Sequence, residues 1–395
     1  MTEKYTKTRC RFDFEEKEKE KLRIKEPAAN CQAMVSVDCP TIDLGAFRAD
    51  STASAEEVAR STLALRLAAE SGGFFYAVNS GIIEAMAIEQ ALAAADTLWA
   101  LDSGAKEALK VRRDAANIGF TRGYISIGGE SGSDLLECKE AFSYGHEPRA
   151  AAAAPPRSHR LEGPNRWPSV DDVGEAWQPM MSATFDAFCR VSALVSRGLS
   201  LALGEEIDFL QRACGEGGDR ISLMRLFHYF PCLDPKCDAA FAASPGGTPR
   251  IGSSPHTDWG FITLVAQSDD AGGERGGLEV WDSTKWVRIP PRAGSLVVNC
   301  GDWVSLFSGG RIKSPLHRVV NGSKPRNSLV FFAYPAYDAP LPKLSGGGGA
   351  AAELSLLTDQ SRDSEGGAER ATEGEAGAEL PFGAYIAQKW ASVQR

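Results

Sequence analysis

The chain has 395 residues, 43% of them hydrophobic, so its length allows one large β-rich domain or two smaller ones. Its formal net charge of −9 and the lack of a basic stripe interleaved with aromatic residues argue against nucleic acid as a partner. The segment MTEKYTKTRC lacks the pattern of a secretory signal, and no apolar stretch is long enough to span a bilayer. We therefore expect a cytoplasmic protein without a membrane partner that acts on a small molecule.

Nine cysteines are scattered along the chain, and none shows the paired CxxC spacing of a zinc site. An odd number of thiols without such pairing favours free cysteines in a reducing compartment. The cysteine pattern thus agrees with an intracellular location. Nothing in the sequence indicates an oligomer, and a monomer is the simplest expectation.

The first half of the chain mixes predicted strands and helices. Residues 1–34 include the mixed-charge run EEKEKEKLRIKE and are expected to form a charged, disordered tail. Residues 35–150 form a predicted N-terminal region, with a strand at Thr41–Leu44, a helix at Ala55–Ala69, a strand at Phe74–Val78 and a helix at Glu84–Trp99.

The second half changes its hydrophobic period. A helix with one apolar face is predicted from Trp177 to Leu203, and from Ile221 the period approaches two in the runs ISLMRLFHYF, GFITLVAQ, GLEVWD, KWVRIP, GSLVVNC and SLVFFAY. Several short strands at this spacing predict a sandwich or jelly-roll barrel, which we assign to residues 151–343. Residues 344–379, rich in Gly, Ala and Glu, are predicted to be a low-complexity, flexible insertion, and residues 380–395 a terminal helix.

A metal-ligand pattern lies at His256-Thr257-Asp258. Alternate residues on a strand point to one face, so the imidazole and the carboxylate can bind one ion. His317 follows in the segment SPLHRVV, and a barrel can return it beside the first two. Two histidines and one carboxylate on one face leave coordination positions open, which is the arrangement of non-haem Fe(II) oxygenases.

An anion-binding pattern follows at Arg326-Asn327-Ser328, where a guanidinium and a hydroxyl share one face of a strand. The surrounding sequence, RNSLVFFAY, is apolar, and an Arg in such a strand requires a buried anion. A guanidinium binds a carboxylate through two parallel hydrogen bonds, and the hydroxyl adds a donor. The pair is therefore suited to a dicarboxylate.

Taken together, these motifs resemble the isopenicillin N synthase-like branch of the 2-oxoglutarate/Fe(II)-dependent dioxygenases. The resemblance extends over most of Val35 to Tyr337 and includes TIDLGAF, GGFFYAVNSGI and KEAFSYG, while PFGAYIAQKW is similar to the family's final helix. It implies a mainly β fold with surrounding helices, built on a double-stranded β-helix, or jelly roll.

The resemblance also implies roles for the motif residues. His256, Asp258 and His317 would be the catalytic iron ligands, and Arg326 with Ser328 would bind the C5 carboxylate of 2-oxoglutarate. With Fe(II), this co-substrate and O2, the enzyme would hydroxylate, desaturate or cyclise a small-molecule metabolite and release succinate and CO2.

Tyr229 is a further candidate for binding the co-substrate. Arg225, Tyr229 and Cys232 keep the spacing of the family's R-x-N-Y-Y-P-x-C segment, although Phe227 and His228 replace its asparagine and first tyrosine. We interpret His228 as a neutral core histidine rather than a group that supports the site.

Two other functions remain open from the sequence. One is an Fe(II) oxidase like isopenicillin N synthase, which has the same triad and a similar Arg-x-Ser but does not use 2-oxoglutarate. The other is a non-catalytic jelly-roll binding protein, against which the presence of all three ligands argues. The aromatic residues Trp259, Phe261, Phe332 and Tyr124 are candidates for lining the pocket, but each is interpreted as a core aromatic rather than a specificity determinant, because aromatics commonly fill barrels.

Overall fold

The computed structural model describes residues 39–111, 122–129, 135–147, 164–215, 221–231, 234–242, 250–268, 276–345 and 381–393. These residues all belong to one compact unit. The predicted charged tail and nearly all of the predicted low-complexity insertion lie outside them.

The described residues contain strands of two to eight residues. They are β1 (Thr41–Asp43), β2 (Phe74–Val78), β3 (Gly123–Ile125), β4 (Leu136–Glu137), β5 (Lys139–Gly145), β6 (Leu223–Tyr229), β7 (Arg250–Ile251), β8 (Ser253–His256), β9 (Ile262–Gln267), β10 (Gly277–Trp281), β11 (Trp286–Arg288), β12 (Leu296–Cys300), β13 (His317–Val320) and β14 (Arg326–Ala333).

The helices of the described residues precede, separate and follow these strands. They are α1 (Ala55–Ser71), α2 (Ala85–Trp99), α3 (Ser103–Ala108), α4 (Val170–Val173), α5 (Trp177–Leu203), α6 (Phe209–Ala213), α7 (Pro235–Ala242), α8 (Asp302–Phe307) and α9 (Phe382–Val393), with a 3-10 turn at Gly45–Phe47. No helix of the described chain combines the length and the apolar character needed to cross a bilayer.

Two sheets form the core of the fold. The large sheet has the strand order β1-β2-β12-β9-β14-β6-β5-β3, and the small sheet has the order β11-β10-β13-β8. Residues from both sheets line one cavity, so the sheets face each other around it. This is a double-stranded β-helix. The large sheet includes strands from both sides of residue 150, and β4 pairs separately with β7.

Helices cover the outer face of the large sheet. Ser54 caps the N-terminus of α1: its hydroxyl accepts a hydrogen bond from the Glu57 N–H, while the Glu57 carboxylate accepts one from the Ser54 N–H. The long helix α5 places Phe185 and Phe188 against Phe331 of β14, with ring centroids 5.4 and 6.2 Å apart. These contacts leave the inner face of the sheet for the cavity.

Strand pairing positions the predicted site residues. In the small sheet, His317 of β13 lies directly opposite His256 of β8. In the large sheet, residues that share the inner face form cross-strand pairs between β6 and β14, namely Tyr229–Arg326, Phe227–Ser328 and Arg225–Val330. Each sheet therefore contributes one wall of the same site.

Candidate active site

The three predicted metal ligands meet at one point of the cavity. The potential ligand atoms of His256, Asp258 and His317 all lie within 4.8 Å of one another. Asp258 Oδ1 is 3.6 Å from His256 Nε2 and 3.8 Å from His317 Nε2. Asp258 and His317 are buried, whereas the His256 side chain is 42% exposed. The group can hold one metal ion at the wall of the cavity.

The tautomers of both histidines follow from backbone contacts. His256 Nδ1 is 2.7 Å from the Ser254 carbonyl oxygen, and His317 Nδ1 is 3.1 Å from the Pro315 carbonyl oxygen. A carbonyl only accepts, so each Nδ1 carries the proton and donates it. Each Nε2 then keeps its lone pair for a metal, and the ring orientation is fixed.

Two neighbouring side chains hold the Asp258 carboxylate through its Oδ2 atom. Its Oδ2 accepts hydrogen bonds from Thr263 Oγ1 at 2.5 Å and from Asn299 Nδ2 at 2.8 Å. Thr263 and Asn299 are cross-strand neighbours on β9 and β12. Because these donors occupy Oδ2, Oδ1 is the oxygen left for a metal, and the carboxylate is oriented before the metal binds.

The loop that carries Asp258 is packed closely against the start of α8. The N–H of Asp302 donates to the Asp258 carbonyl at 2.7 Å, and the N–H of Gly301 donates to the Phe261 carbonyl at 2.9 Å. A Cβ on Gly301 would lie 2.1 Å from the Gly260 carbonyl oxygen. Glycine at position 301 is therefore needed for this close approach of the two backbones.

Burial and neighbouring charges set the protonation of the group. Burial lowers the pKa of His317 to about 4, with a further contribution from His256, so His317 is neutral at pH 7. Burial opposes ionisation of Asp258, but His317, His256 and the hydrogen bonds from Thr263 and Asn299 hold the pKa of its carboxyl below the ordinary value. A neutral imidazole and an ionised carboxylate are the forms that bind a metal.

The predicted anion site lies on β14. Arg326 Nη1 donates to Gln267 Oε1 at 3.2 Å, and the guanidinium lies 4.6 Å from the centroid of the Tyr229 ring. Burial lowers the pKa of Arg326 from its ordinary value. Ser328 is 3% exposed, and its Oγ has no hydrogen-bond partner among the described residues. The structure thus places a partly buried cation and an unused hydroxyl side by side.

One cavity of about 370 Å³ contains both groups. All six residues predicted for the site line it, and they are His256, Asp258, His317, Arg326, Ser328 and Tyr229. The cavity also contains a buried ion pair, in which Lys139 Nζ is 2.8 Å from Glu137 Oε2. Lys139 further contacts Ser253 Oγ at 3.2 Å.

The aromatic residues divide between cavity and core. Phe261 and Tyr124 are buried away from the cavity, as expected, and the Tyr124 hydroxyl donates to Glu140. Trp259 and Phe332 pack against the hydrophobic core, as expected, and also line the cavity. Trp259 follows Asp258 directly, and Phe332 lies opposite Thr263 on the inner face of the sheet. Both therefore point toward the site.

His228 lies outside the cavity, on the other face of β6. Its ring stacks on Phe230 and meets the edge of Trp99, and its Nδ1 is 3.5 Å from Glu140 Oε1. Burial lowers the pKa of His228, so the ring is neutral at pH 7. Both observations agree with the prediction of a neutral histidine away from the site.

Thr263 and Asn299, which hold Asp258, and Gln267, which contacts Arg326, were not predicted from the sequence. Thr263 and Gln267 lie at alternating positions of β9, in the otherwise apolar run GFITLVAQ, and Asn299 lies in the apolar run GSLVVNC. A polar side chain on the inner face of a buried strand requires a partner. That signal is visible in the sequence, but the partner is not.

Family models match most of the chain. The model of the 2OG-Fe(II) oxygenase superfamily matches residues 220–335, and the model of the non-haem dioxygenase in morphine synthesis N-terminal region matches residues 39–170. The first match contains His256, Asp258, His317, Arg326 and Ser328.

Individual relatives agree with these matches. The chain is 30% identical over 312 residues to gibberellin 20 oxidase 2 of Oryza sativa subsp. indica, covering 76% of this chain and 69% of the relative. It is 31% identical over 313 residues to the 2-oxoglutarate-dependent dioxygenase citB of Monascus ruber, covering 74% and 83%.

Solved structures share the fold. A full-length Neurospora crassa protein in complex with alpha-KG and thymine covers 93% of this chain and 99% of its own, with a TM-score of 0.65 and 23% identity. A 2OG-Fe(II) oxygenase family structure from Caulobacter crescentus covers 91% and 100%, with a TM-score of 0.64 and 23% identity. With its matched family models, its sequence relatives and this fold, the chain belongs to the 2OG-Fe(II) oxygenase superfamily and is a 2-oxoglutarate-dependent dioxygenase.

Proposed function

We propose that His256, Asp258 and His317 bind the Fe(II) of this dioxygenase. The observation that supports the proposal is the convergence of two imidazole Nε2 atoms and one carboxylate oxygen within 4.8 Å. The donor set suits Fe(II), since imidazole and carboxylate are ligands of non-haem iron and three protein ligands leave positions for other molecules. Backbone carbonyls and the Thr263–Asn299 pair orient these donors.

We further propose that Arg326 and Ser328 bind the C5 carboxylate of 2-oxoglutarate, with Tyr229 beside it. Among the described residues, Arg326 contacts the neutral Gln267 side chain rather than a carboxylate. The guanidinium of Arg326 lines the cavity and is partly buried, and Ser328 offers an unused hydroxyl at the same place. A dicarboxylate satisfies both groups, so the residues present fit the co-substrate.

The residues that line the cavity have different roles in this reaction. When bound, iron and 2-oxoglutarate supply the O2-dependent oxidation, in which the co-substrate becomes succinate and CO2. Asp258 and the two histidines hold the metal at the cavity wall, and Arg326 fixes the far end of the co-substrate. Trp259 and Phe332 exclude water and contact the substrate. The product is a hydroxylated, desaturated or cyclised small molecule.

The substrate class, the family branch, the oligomeric state and the cellular location are also proposals. The cavity is of the size of small-molecule sites, and one relative is named for gibberellin. The match to the non-haem dioxygenase N-terminal model supports placement in the isopenicillin N synthase-like branch.

We propose that the protein is a monomer in the cytoplasm and that it binds neither nucleic acid nor membranes. Cys39, Cys214 and Cys300 are free thiols, in agreement with a reducing compartment. Light scattering tests the monomer.

Metal binding tests the ligand assignment directly. Anaerobic equilibrium dialysis against Fe(II) is expected to give one bound ion per chain, and Asp258→Asn and His317→Ala are expected to lose it. His146→Ala is the matched control, because this histidine packs on Phe185 away from the cavity. Full iron content in either ligand variant would refute the assignment. A chain that binds no iron at all would favour the non-catalytic alternative.

A further inference from the structure

An ion pair at the wall of the cavity is not part of the iron and co-substrate sites proposed above. Glu137 of β4 and Lys139 of β5 lie 2.8 Å apart, and their side chains are only 6% and 9% exposed. Burying two charges is costly, and a buried ion pair by itself seldom adds stability. The other contacts of the pair therefore indicate what it does.

Both members of the pair bind the start of β8. The N–H of Ser254 donates to Glu137 Oε1 at 2.7 Å, and Lys139 Nζ donates to Ser253 Oγ at 3.2 Å. Both carboxylate oxygens of Glu137 are thus engaged, Oε1 by β8 and Oε2 by Lys139. The pair connects β4 and β5 to the strand that ends at His256.

Strand pairing holds β8 on one side only. It is the edge strand of the small sheet among the described residues, and its ladder with β13 is irregular between the pairs Ser253–Val319 and His256–His317. Ser254 lies in that irregular stretch, and Pro255 beside it has no N–H to donate. The Glu137 carboxylate supplies the acceptor that a neighbouring strand would otherwise provide.

Ser254 also connects the ion pair to the proposed metal site. Its carbonyl oxygen is 2.7 Å from His256 Nδ1 and fixes the orientation of that ring. The His256 side chain is 42% exposed, against 9% for His317 and 6% for Asp258, so it has the least packing of the three ligands. The direction of His256 Nε2 therefore depends most on the position of the Ser254 backbone.

The charge of Glu137 strengthens its hold on Ser254. Burial opposes ionisation, but Lys139 and the N–H of Ser254 hold the pKa of the Glu137 carboxyl below its ordinary value. The carboxylate is therefore ionised at pH 7, and a hydrogen bond to a charged acceptor is about twice as strong as one between neutral groups.

We infer that Glu137 is a positioning residue of the iron site. It holds the Ser254 backbone, whose carbonyl keeps His256 Nε2 directed at the metal, and Lys139 keeps the Glu137 carboxylate charged and in place. The inference rests on the proposed function, because it concerns the ligand His256 of that site. Loss of a group that supports a metal ligand typically weakens metal binding by about 10- to 100-fold.

Two double variants test the inference on the full chain. Glu137→Gln/Lys139→Met and Glu137→Leu/Lys139→Met both remove the ion pair, but only the first keeps an acceptor for the Ser254 N–H. Anaerobic titration with Co(II), followed by its visible ligand-field bands, is expected to show near-wild-type affinity for the first variant. The second should bind Co(II) about 10- to 100-fold more weakly. Equal Co(II) affinities of the two variants would overturn the inference.

A second buried ion pair on β5 provides the matched control. Glu140 accepts a hydrogen bond from Lys106 Nζ at 2.9 Å and lies on the opposite face of the strand from Lys139, and neither Glu140 nor Lys106 lines the cavity. Glu140→Leu/Lys106→Met should bind Co(II) like the wild type. A loss of affinity as large as that of Glu137→Leu/Lys139→Met would reflect destabilisation alone and would overturn the inference.

The variant His256→Ala distinguishes positioning from a purely structural role. It should weaken Co(II) binding less in Glu137→Leu/Lys139→Met than in the wild type, because Glu137 acts through His256, and additive effects would overturn the inference. If Glu137→Leu/Lys139→Met does not fold, Glu137→Asp decides, because its shorter side chain withdraws the acceptor from Ser254. Unchanged Co(II) affinity of Glu137→Asp would overturn the inference. A wild-type chain that does not bind Co(II), or that binds it equally well after His256→Ala, would instead refute the proposed metal site itself.

Discussion

The hydrogen bond from Thr263 to Asp258 offers a sharp test of how the site is built. Thr263→Val keeps the shape of the side chain but removes the Oγ1 donor that lies 2.5 Å from Asp258 Oδ2. A hydrogen bond to a buried charged group contributes about 1.5–3 kcal/mol, which corresponds to roughly 10- to 150-fold in affinity. Loss of a group that supports a metal ligand typically weakens metal binding by about 10- to 100-fold. We expect a loss of Fe(II) affinity in this range.

The assay is anaerobic titration of the protein with Fe(II), with Mn(II) as a stable substitute. Thr184→Val is the matched control, because the Thr184 hydroxyl also donates a hydrogen bond, to the Met180 carbonyl within α5, far from the ligands. The control should bind metal like the wild type. Equal metal affinities of Thr263→Val and Thr184→Val would show that the Thr263 contact does not orient the carboxylate.

Two further predictions concern the charged groups of the cavity. Arg326→Ala should weaken 2-oxoglutarate binding by about 2–5 kcal/mol, or roughly 30-fold to several thousand-fold. The control Arg60→Ala, at an exposed arginine of α1, should leave the affinity unchanged. Calorimetry measures both variants, and equal affinities would move the dicarboxylate elsewhere. Glu137→Gln should destabilise the fold by about 3–5 kcal/mol at pH 7, because Lys139 loses its counter-ion. Burial opposes ionisation of Glu137, but the charge of Lys139 lowers the pKa of the Glu137 carboxyl overall. The ion pair therefore stabilises the wild type above about pH 4.5, and this stabilisation is lost as the pH falls further. The difference between wild type and variant in urea unfolding should therefore shrink in acid, and a constant difference would contradict this account.

The fold was predictable where the sequence has a clear period. The helix predicted for Trp177–Leu203 has those bounds, since its apolar residues repeat at helical spacing. The closeness of His256 and Asp258 was predictable from their separation of two residues, although β8 ends at His256 and Asp258 lies in the loop that follows the strand. His317 was predicted as the third residue because it is a histidine in a predicted strand region. The structure shows why it lies beside His256 and Asp258, since β13 places it directly opposite His256.

Other features depend on packing that no local pattern reveals. All seven residues of β5, KEAFSYG, are buried; Phe142 and Tyr144 contact α5, and Lys139 lines the cavity. Without an exposed face there is no alternation to read, so the Lys139–Glu137 pair was not predicted. Trp390 enters the cavity from α9, more than 160 residues after Arg225, and only the docking of that helix brings them together.

The large sheet contains strands from both sides of residue 150, where the boundary between an N-terminal region and a core was predicted. Its strands β1, β2, β3 and β5 precede that residue, and β6, β9, β12 and β14 follow it. The early strands lack the regular period of the later ones, and their pairing partners lie far along the chain. Strand order is set by these long-range pairings, which composition and spacing do not specify.

The most direct test of the central claim is anaerobic titration of the Fe(II)-loaded protein with 2-oxoglutarate, followed by visible absorption. A weak metal-to-ligand charge-transfer band should grow to saturation at one equivalent of the co-substrate and should require far more of it in Arg326→Ala. Iron bound at full occupancy without such a band would contradict the account and favour an oxidase that does not use 2-oxoglutarate.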